Sequence, residues 1–354
     1  MSTQTEPKTR IGIFMGGVSE EREQSFVSGR QVFYKLDRAK YEVIPIFVDL
    51  DAKFWILPPK LIPQGKTSDV VRKLQQAATR LLYEDVKSKI DIAFILTHGK
   101  YGEDGCLQGL FELLDITYTS SGILSSALGL DKDSQRVILQ QAGIRIPESI
   151  IIREEDIVTN LKETLEKVKK CTGLPCAVKP TREGSSVGVS IARNEAELKA
   201  GIKKALQYDK TVFVEKFLKG LEFSCIVVGT KSPQALPPTE IVPKSDFFTY
   251  EDKFTPGGAH LITPARLQEK LLKKVQQEAI KAHKALGFSG YSRIDGFVVG
   301  EEVFIIDPHP TCGMGPSSFI WQQAAEAELA PKDLLDRIVQ DAFSVHAEKK
   351  GCLG

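Results

Sequence analysis

The chain has 354 residues, 42% of them hydrophobic, and its 47 basic and 46 acidic side chains leave a net charge of +1. One hydrophobic core rarely serves so long a chain, so two or three domains are expected. Near-neutral charge with no concentrated basic segment excludes the footprint of a general nucleic-acid binder, and the lack of any long apolar run excludes a membrane helix, leaving a protein that acts on a small ligand.

In chain order, the opening MSTQTEPKTR lacks the apolar stretch of a signal peptide, so a soluble, cytoplasmic protein is expected. IGIFMGG (11–17), YEVIPIFV (41–48) and IDIAFIL (90–96) read as strands separated by segments of helical spacing, among them SEEREQSFVSGRQVFYKL. This first third reads β-α-β-α-β and predicts a parallel sheet with ligand loops at the carboxyl ends of its strands. The Pro-rich WILPPKLIPQG near 60 reads as a surface loop, and QGKT (64–67) fails as a phosphate-binding loop because Lys60 occupies the position that needs glycine. Glu20, Glu21 and Glu23 stand in the first turn of a helix, where acids complement the macrodipole; a functional role requires one of them to face a substrate cation. His98 follows a strand in the glycine-rich loop HGKYGEDG, open to a ligand, although a lone histidine is more often structural.

After a boundary near 130, IPESIIIR leads into one helix (EEDIVTNLKETLEKVKKC), then PCAVKP, the turn REGSSVG, another strand, a helix and TVFVEKFL. That order predicts a small antiparallel sheet with helices on one face, so the fold is α/β with an α+β part. A second boundary falls near 220, before EFSCIVVG, a long amphipathic helix (QEKLLKKVQQEAIKAHKAL), two strand segments (SRIDGF and EVFIID) and the helical PKDLLDRIVQDAF. The six cysteines, at 106, 171, 176, 225, 312 and 352, show no CxxC pair and read as free thiols.

Several of these segments carry chemistry. REGSSVG can wrap phosphates with backbone N–H groups and hydroxyls, or be an ordinary hairpin turn. Lys179, inside the apolar strand CAVKP, is expensive to bury unless an anion meets it. Glu215 and Glu222 bracket FLKGL, where acids can accept from an adenine amino group or ribose hydroxyls, or simply be solvated strand ends. SRIDGF and IIDPHP, joined by VVGEE, predict a hairpin that sets Asp295 beside Asp307. Two carboxylates so close call for a cation, as Mg²⁺ bridging ATP phosphates supplies. Arg293, two residues from Asp295, points to the same face and can neutralise a transferring phosphoryl group.

Together GGVSEERE, HGKYGEDGCLQGLFE, ITYTSSG, LDKD, VKPTREGSSVG, VEKFLKGLEF, SRID and GMGPSS resemble the D-alanine:D-alanine ligase family, in order and over nearly the whole chain. The resemblance implies an ATP-grasp fold with an N-terminal Rossmann-like parallel-sheet domain (1–130), a small central domain (131–219) and a C-terminal domain (220–354) with the metal and acceptor sites. It implies ATP with two Mg²⁺ or Mn²⁺ ions, D-alanine as substrate and a homodimer, in peptidoglycan precursor synthesis. By motif correspondence Lys132, Lys179 and Lys253 hold ATP phosphates under Ser185, while Glu215, Leu218 and Glu222 frame adenine and ribose. Glu21 binds the ammonium of the first D-alanine with His98 nearby, Arg293 and the Gly313 N–H stabilise the oxyanion, Ser318 holds the second carboxylate, and Asp295, Asp307 and His309 are the metal ligands.

Two departures matter. Where the family typically writes Glu-x-Asn-Thr-x-Pro-Gly, this chain runs from Asp307 through His309 and Cys312 to Gly313, and an imidazole among hard oxygen ligands either shifts preference toward manganese or leaves one coordination position to water. In YEDKF, Phe254 replaces a tyrosine common in the family; relatives that accept D-lactate often carry phenylalanine there, so D-lactate stands as the alternative second substrate. The altered metal motif also admits an ATP-binding module without ligase chemistry. Retention of Lys179, Arg293, Asp295, Gly313 and Ser318 argues against it.

Overall fold

A computed structural model describes residues 7–181, 188–243 and 258–351. Strands β1 (Thr9–Gly16), β2 (Tyr41–Val48), β3 (Phe54–Ile56), β4 (Thr79–Leu81), β5 (Ile92–Ile95) and β6 (Thr117–Tyr118) form a first sheet in the order β4-β3-β2-β1-β5-β6. Its β2-β1-β5-β6 part is parallel, as expected. β3 and β4 add an antiparallel edge. This corrects two sequence expectations: the sheet is mixed, and WILPPKLIPQG is no surface loop. Its first residues form β3, and Leu57, Leu61 and Ile62 are at most 2% exposed. Prolines there end the strand without ending burial, because the apolar side chains between them still lie over the sheet.

The second sheet has four strands, β7 (Ser149–Arg153), β8 (Cys176–Pro180), β9 (Ser190–Ala192) and β10 (Thr211–Lys216), ordered β7-β10-β8-β9 and antiparallel throughout. Helices Glu154–Thr172 and Glu195–Ala205 share one core with Ile152, Val178, Val212 and Val214, so they cover one face. Strand alternation then turns Lys179, Phe213 and Glu215 to the other face. The first of these helices is not one piece. Asn160 breaks it with φ −156° and ψ 81°, and its Oδ1 accepts from Glu163 N at 3.1 Å, capping the second half.

The third sheet comprises β11 (Leu221–Val228), β12 (Gln234–Ala235), β13 (Thr239–Pro243), β14 (Ala259–Ile262), β15 (Tyr291–Val299) and β16 (Glu302–His309), ordered β14-β13-β11-β15-β16 with β12 also on β11. Helix Glu269–Ala285 packs on one face of it, sharing a core with Phe223, Ile294 and Ile305. The other side joins the first sheet: Ile226 and Tyr291 lie in one cluster with Ile11, Ile13 and Met15 and with Leu334, Leu335 and Ile338 of the last helix, Pro331–Gly351. No helix of the described residues is long and apolar enough to cross a membrane.

Candidate active site

The hairpin of β15 and β16 is the centre of the site. Their register sets Asp295 opposite Asp307 and Arg293 opposite His309, as the sequence spacing predicts. Ligand atoms of Asp295, Asp307 and His309 all lie within 4.8 Å of one another. Each carboxylate has a cationic or polar neighbour. Arg293 Nε donates to Asp295 Oδ2 at 3.0 Å, Ser224 Oγ on β11 donates to Asp295 Oδ1 at 2.7 Å, and His309 Nε2 stands 3.0 Å from Asp307 Oδ2. Burial by itself would raise the Asp307 pKa, but His309, Lys132 and Lys179 outweigh it and hold this carboxyl well below the usual range. The donor set fits a small divalent cation: two carboxylates, which hard ions prefer, and one imidazole.

Lys132 opens the helix Lys132–Gln141 and is buried, with Nζ 4.0 Å from Asp307 Oδ1. Burial, then Lys179 and Arg136, lower its pKa despite Asp307. Lys179 pairs with Glu215, whose other oxygen accepts from Arg136 Nη2 at 2.8 Å. Three cations thus converge on two carboxylates, a surplus of positive charge suited to phosphate. Leu218 follows β10 and Glu222 is the second residue of β11, both half-buried. Ser185, Lys253 and Phe254 lie outside the described residues.

A second cluster gathers around His98 in the loop after β5. Ser19 Oγ donates to the His98 carbonyl at 2.7 Å, and Gly99, with φ +65°, lies so close that a Cβ there would stand 3.2 Å from Glu21 Oε2. Glu21 and His98 are therefore brought together, as expected. His98 Nδ1 lies 3.7 Å from Glu103 Oε2, while its Nε2 is buried without a partner. Burial opposes its protonation, but Glu103 and, more weakly, Glu21 raise its pKa above the ordinary value.

The turn after β16 completes the arrangement. A Cβ on Gly313 would lie 3.5 Å from Ser318 Oγ, which places those two residues side by side, and Met314 N donates to Ser28 Oγ at 3.0 Å, tying this turn to helix Arg22–Lys35. Cys312 next to it is no nucleophile: burial pushes its thiol up to about 12, with Arg293 only partly opposing.

Four residues here escaped the sequence reading. Glu103 accepts from Gly99 N at 2.8 Å and from the Thr311 hydroxyl, joining the His98 loop to the metal-strand turn. Ser224 orients Asp295. Gln135 Nε2 donates to Pro308 O at 3.2 Å, and Arg136 reaches the carbonyls just before Asp307. Only the position of Arg136, one helical turn after Lys132, carried a signal in the sequence.

The chain's likenesses agree with this geometry. Its residues 10–121 match the family description "D-ala D-ala ligase N-terminus", and 138–340 match "D-ala D-ala ligase C-terminus". It is 37% identical over 346 residues to a D-alanine--D-alanine ligase of Syntrophobacter fumaroxidans, covering 97% of this chain and 99% of that one. Among solved structures, the VanG D-Ala:D-Ser ligase from Enterococcus faecalis superposes with a TM-score of 0.84 at 28% identity, covering 95% of this chain and 100% of that one. The D-alanine--D-alanine ligase from Bacillus anthracis complexed with ATP does so with a TM-score of 0.74 at 29% identity, covering 96% and 99%. With both family halves matched in order and a full-length relative above 30% identity, the chain belongs to the D-alanine–D-alanine ligase family and has its ATP-grasp fold.

Proposed function

We propose that the protein joins two D-alanines into D-alanyl-D-alanine at the expense of ATP, for peptidoglycan precursor synthesis. The observation that carries this reading is the pairing of Asp295 with Asp307 and of Arg293 with His309 across one hairpin, beside Lys132 and ahead of Gly313. ATP transfers its γ-phosphoryl group to a carboxylate oxygen of the first D-alanine, releasing ADP and leaving D-alanyl phosphate. Lys132, Lys179 and Lys253, with Ser185, hold the phosphates, and Glu215, Leu218 and Glu222 frame adenine and ribose. Glu21 pairs with the ammonium of the first D-alanine, and the unpartnered Nε2 of His98 is available to its carboxylate. The neutral amine of the second D-alanine, its carboxylate held at Ser318, then attacks the acyl carbon. Arg293 and the Gly313 N–H receive the oxyanion, and collapse of the tetrahedral adduct breaks the bond to phosphate.

Asp295, Asp307 and His309 would hold divalent ions, two by family resemblance, which when bound supply charge neutralisation across the phosphates. The division at about 130 and 220, a homodimer and a cytoplasmic location belong to the same reading. Phe254 keeps D-lactate in view as acceptor. Mass spectrometry of products from ATP, D-alanine and D-lactate, with Mg²⁺ and then Mn²⁺, tests both. The expected product is D-alanyl-D-alanine with ADP and phosphate in equal amounts, turnover with Mn²⁺ matching or exceeding that with Mg²⁺. Depsipeptide dominating as the pH falls would reassign the acceptor, and no turnover with either metal would remove the ligase reading.

A further inference from the structure

The hairpin that pairs Asp295 with Asp307 contains one irregularity. The next matched pair after them is Gly296 with Ile305, so Ile306 is skipped. Such a bulge re-aims the residue beside it and withdraws backbone groups from the ladder. Because Ile306 has no partner on β15 and β16 is the edge of its sheet, carbonyls along this stretch take a donor from outside the sheet. Arg136 provides it, with Nη1 on the Ile305 carbonyl at 3.1 Å and Nη2 on the Ile306 carbonyl at 2.6 Å.

Arg136 is 5% exposed, and its guanidinium lies 5.1 Å from the Phe213 ring and donates to Glu215 Oε2 at 2.8 Å. It therefore spans two sheets: the bulge of β16 on one side, and on the other the strand β10, whose Glu215 also pairs with Lys179. Its helix delivers Lys132 toward Asp307 one turn earlier. A planar fork with several fixed donors can serve two carbonyls and a carboxylate at once, which a lysine ammonium on its flexible stem does less well.

We propose that Arg136 is a positioning residue: it pins the Ile305–Ile306 bulge, and so the spacing of the metal-binding carboxylates, and through Glu215 it ties that spacing to the nucleotide-facing sheet. The proposal rests on the divalent-metal reading above. An ion pair that served folding alone would affect stability but leave the metal affinity of the folded protein unchanged.

The experiment uses the full chain as wild type, Arg136→Gln, Arg136→Lys, Glu215→Gln and the double Arg136→Gln/Glu215→Gln variant. Mn²⁺ binding is followed by the electron paramagnetic resonance of free Mn²⁺ at a saturating non-hydrolysable ATP analogue, with thermal unfolding measured alongside. Groups that orient metal ligands typically change affinity about 10- to 100-fold. Arg136→Gln is expected to weaken Mn²⁺ binding by about that range, and Arg136→Lys, which keeps a charge against Glu215, to recover part of the loss. Glu215→Gln should also weaken it, and the double variant should be little worse than Arg136→Gln alone, because both substitutions break one linkage. Arg136→Lys binding Mn²⁺ as tightly as wild type, or the two single effects simply multiplying, would overturn the proposal. Failure of wild type itself to bind Mn²⁺ would instead remove the metal reading on which it rests.

Discussion

Glu103 is 7% exposed and still ionised, because the His98 imidazole, then His309 and the Thr311 hydroxyl, lower its pKa by more than burial raises it. Its charge in turn raises the pKa of His98. Glu103→Gln keeps the shape, removes that charge and should let the His98 pKa fall, which imidazole nitrogen resonances followed over a pH series would reveal. His98 and Glu103 stand 3.7 Å apart, an ion-pair contact, and losing it should lower kcat/KM for the first D-alanine, by about tenfold for each 1.36 kcal/mol lost. An unmoved His98 titration would mean that Glu103 serves only the Thr311 turn. Why this acid was invisible in the sequence is physical: Asp104 stands next to it in the same loop but accepts from Tyr101 N and Cys106 N, a local turn role, and nothing along the chain tells the two apart. Asp295 and Asp307 were legible because period-two alternation fixes which side chains share a face once a short hairpin is recognised. Ser224 was not, and of Arg136 only its place one turn after Lys132 was, since their partners depend on registers between segments 71 and 170 residues apart.

At the level of elements, the small antiparallel sheet could be read from the order of strands and helices because each step is short. Its first helix was misjudged at Asn160. Apolar spacing continues across that residue, so periodicity shows one helix, whereas the side chain prefers to hydrogen-bond backbone at a helix start. Asn160 Nδ2 also donates to Glu163 Oε2 at 3.1 Å, which makes the cap reciprocal. Asn160→Ala should therefore lower stability by about 1 kcal/mol in urea unfolding, and Asn160→Asp by less. Equal stability of the alanine variant would show that the break is set by packing of the two halves. The antiparallel β3 and β4 and the buried Leu57, Leu61 and Ile62 were missed for the opposite reason, since proline density marks chain direction changes and says nothing of burial.

Across the whole molecule, the core that begins on β1 ends on the last helix, where Asp336 Oδ2 accepts from Lys40 Nζ at 3.0 Å and the Gln340 amide donates to the Tyr41 hydroxyl at 3.3 Å. The third sheet is fastened from its other side by helix Glu269–Ala285, and there sits His283, 1% exposed, with Nδ1 2.7 Å from Ser292 Oγ on β15. Burial pushes this imidazole down to about 4 from an ordinary value of 6.5. Below 6.5 the unfolded chain takes up a proton at this position that the folded chain refuses, so folding loses stability as the pH falls, until the folded form also titrates near 4. The contribution is complete above the unfolded value and gone below the folded one. Over that window it amounts to about 3 kcal/mol, at 1.36 kcal/mol for each pKa unit. His283→Asn keeps a hydrogen-bonding atom near Ser292 and removes the titration. Urea unfolding of both proteins from pH 7 to pH 4 should therefore show wild type losing about 3 kcal/mol more than the variant, because every other titrating group cancels in the difference. Parallel stability curves across that range would place the protonated imidazole comfortably inside the fold, against the Phe288 ring 6.1 Å from it.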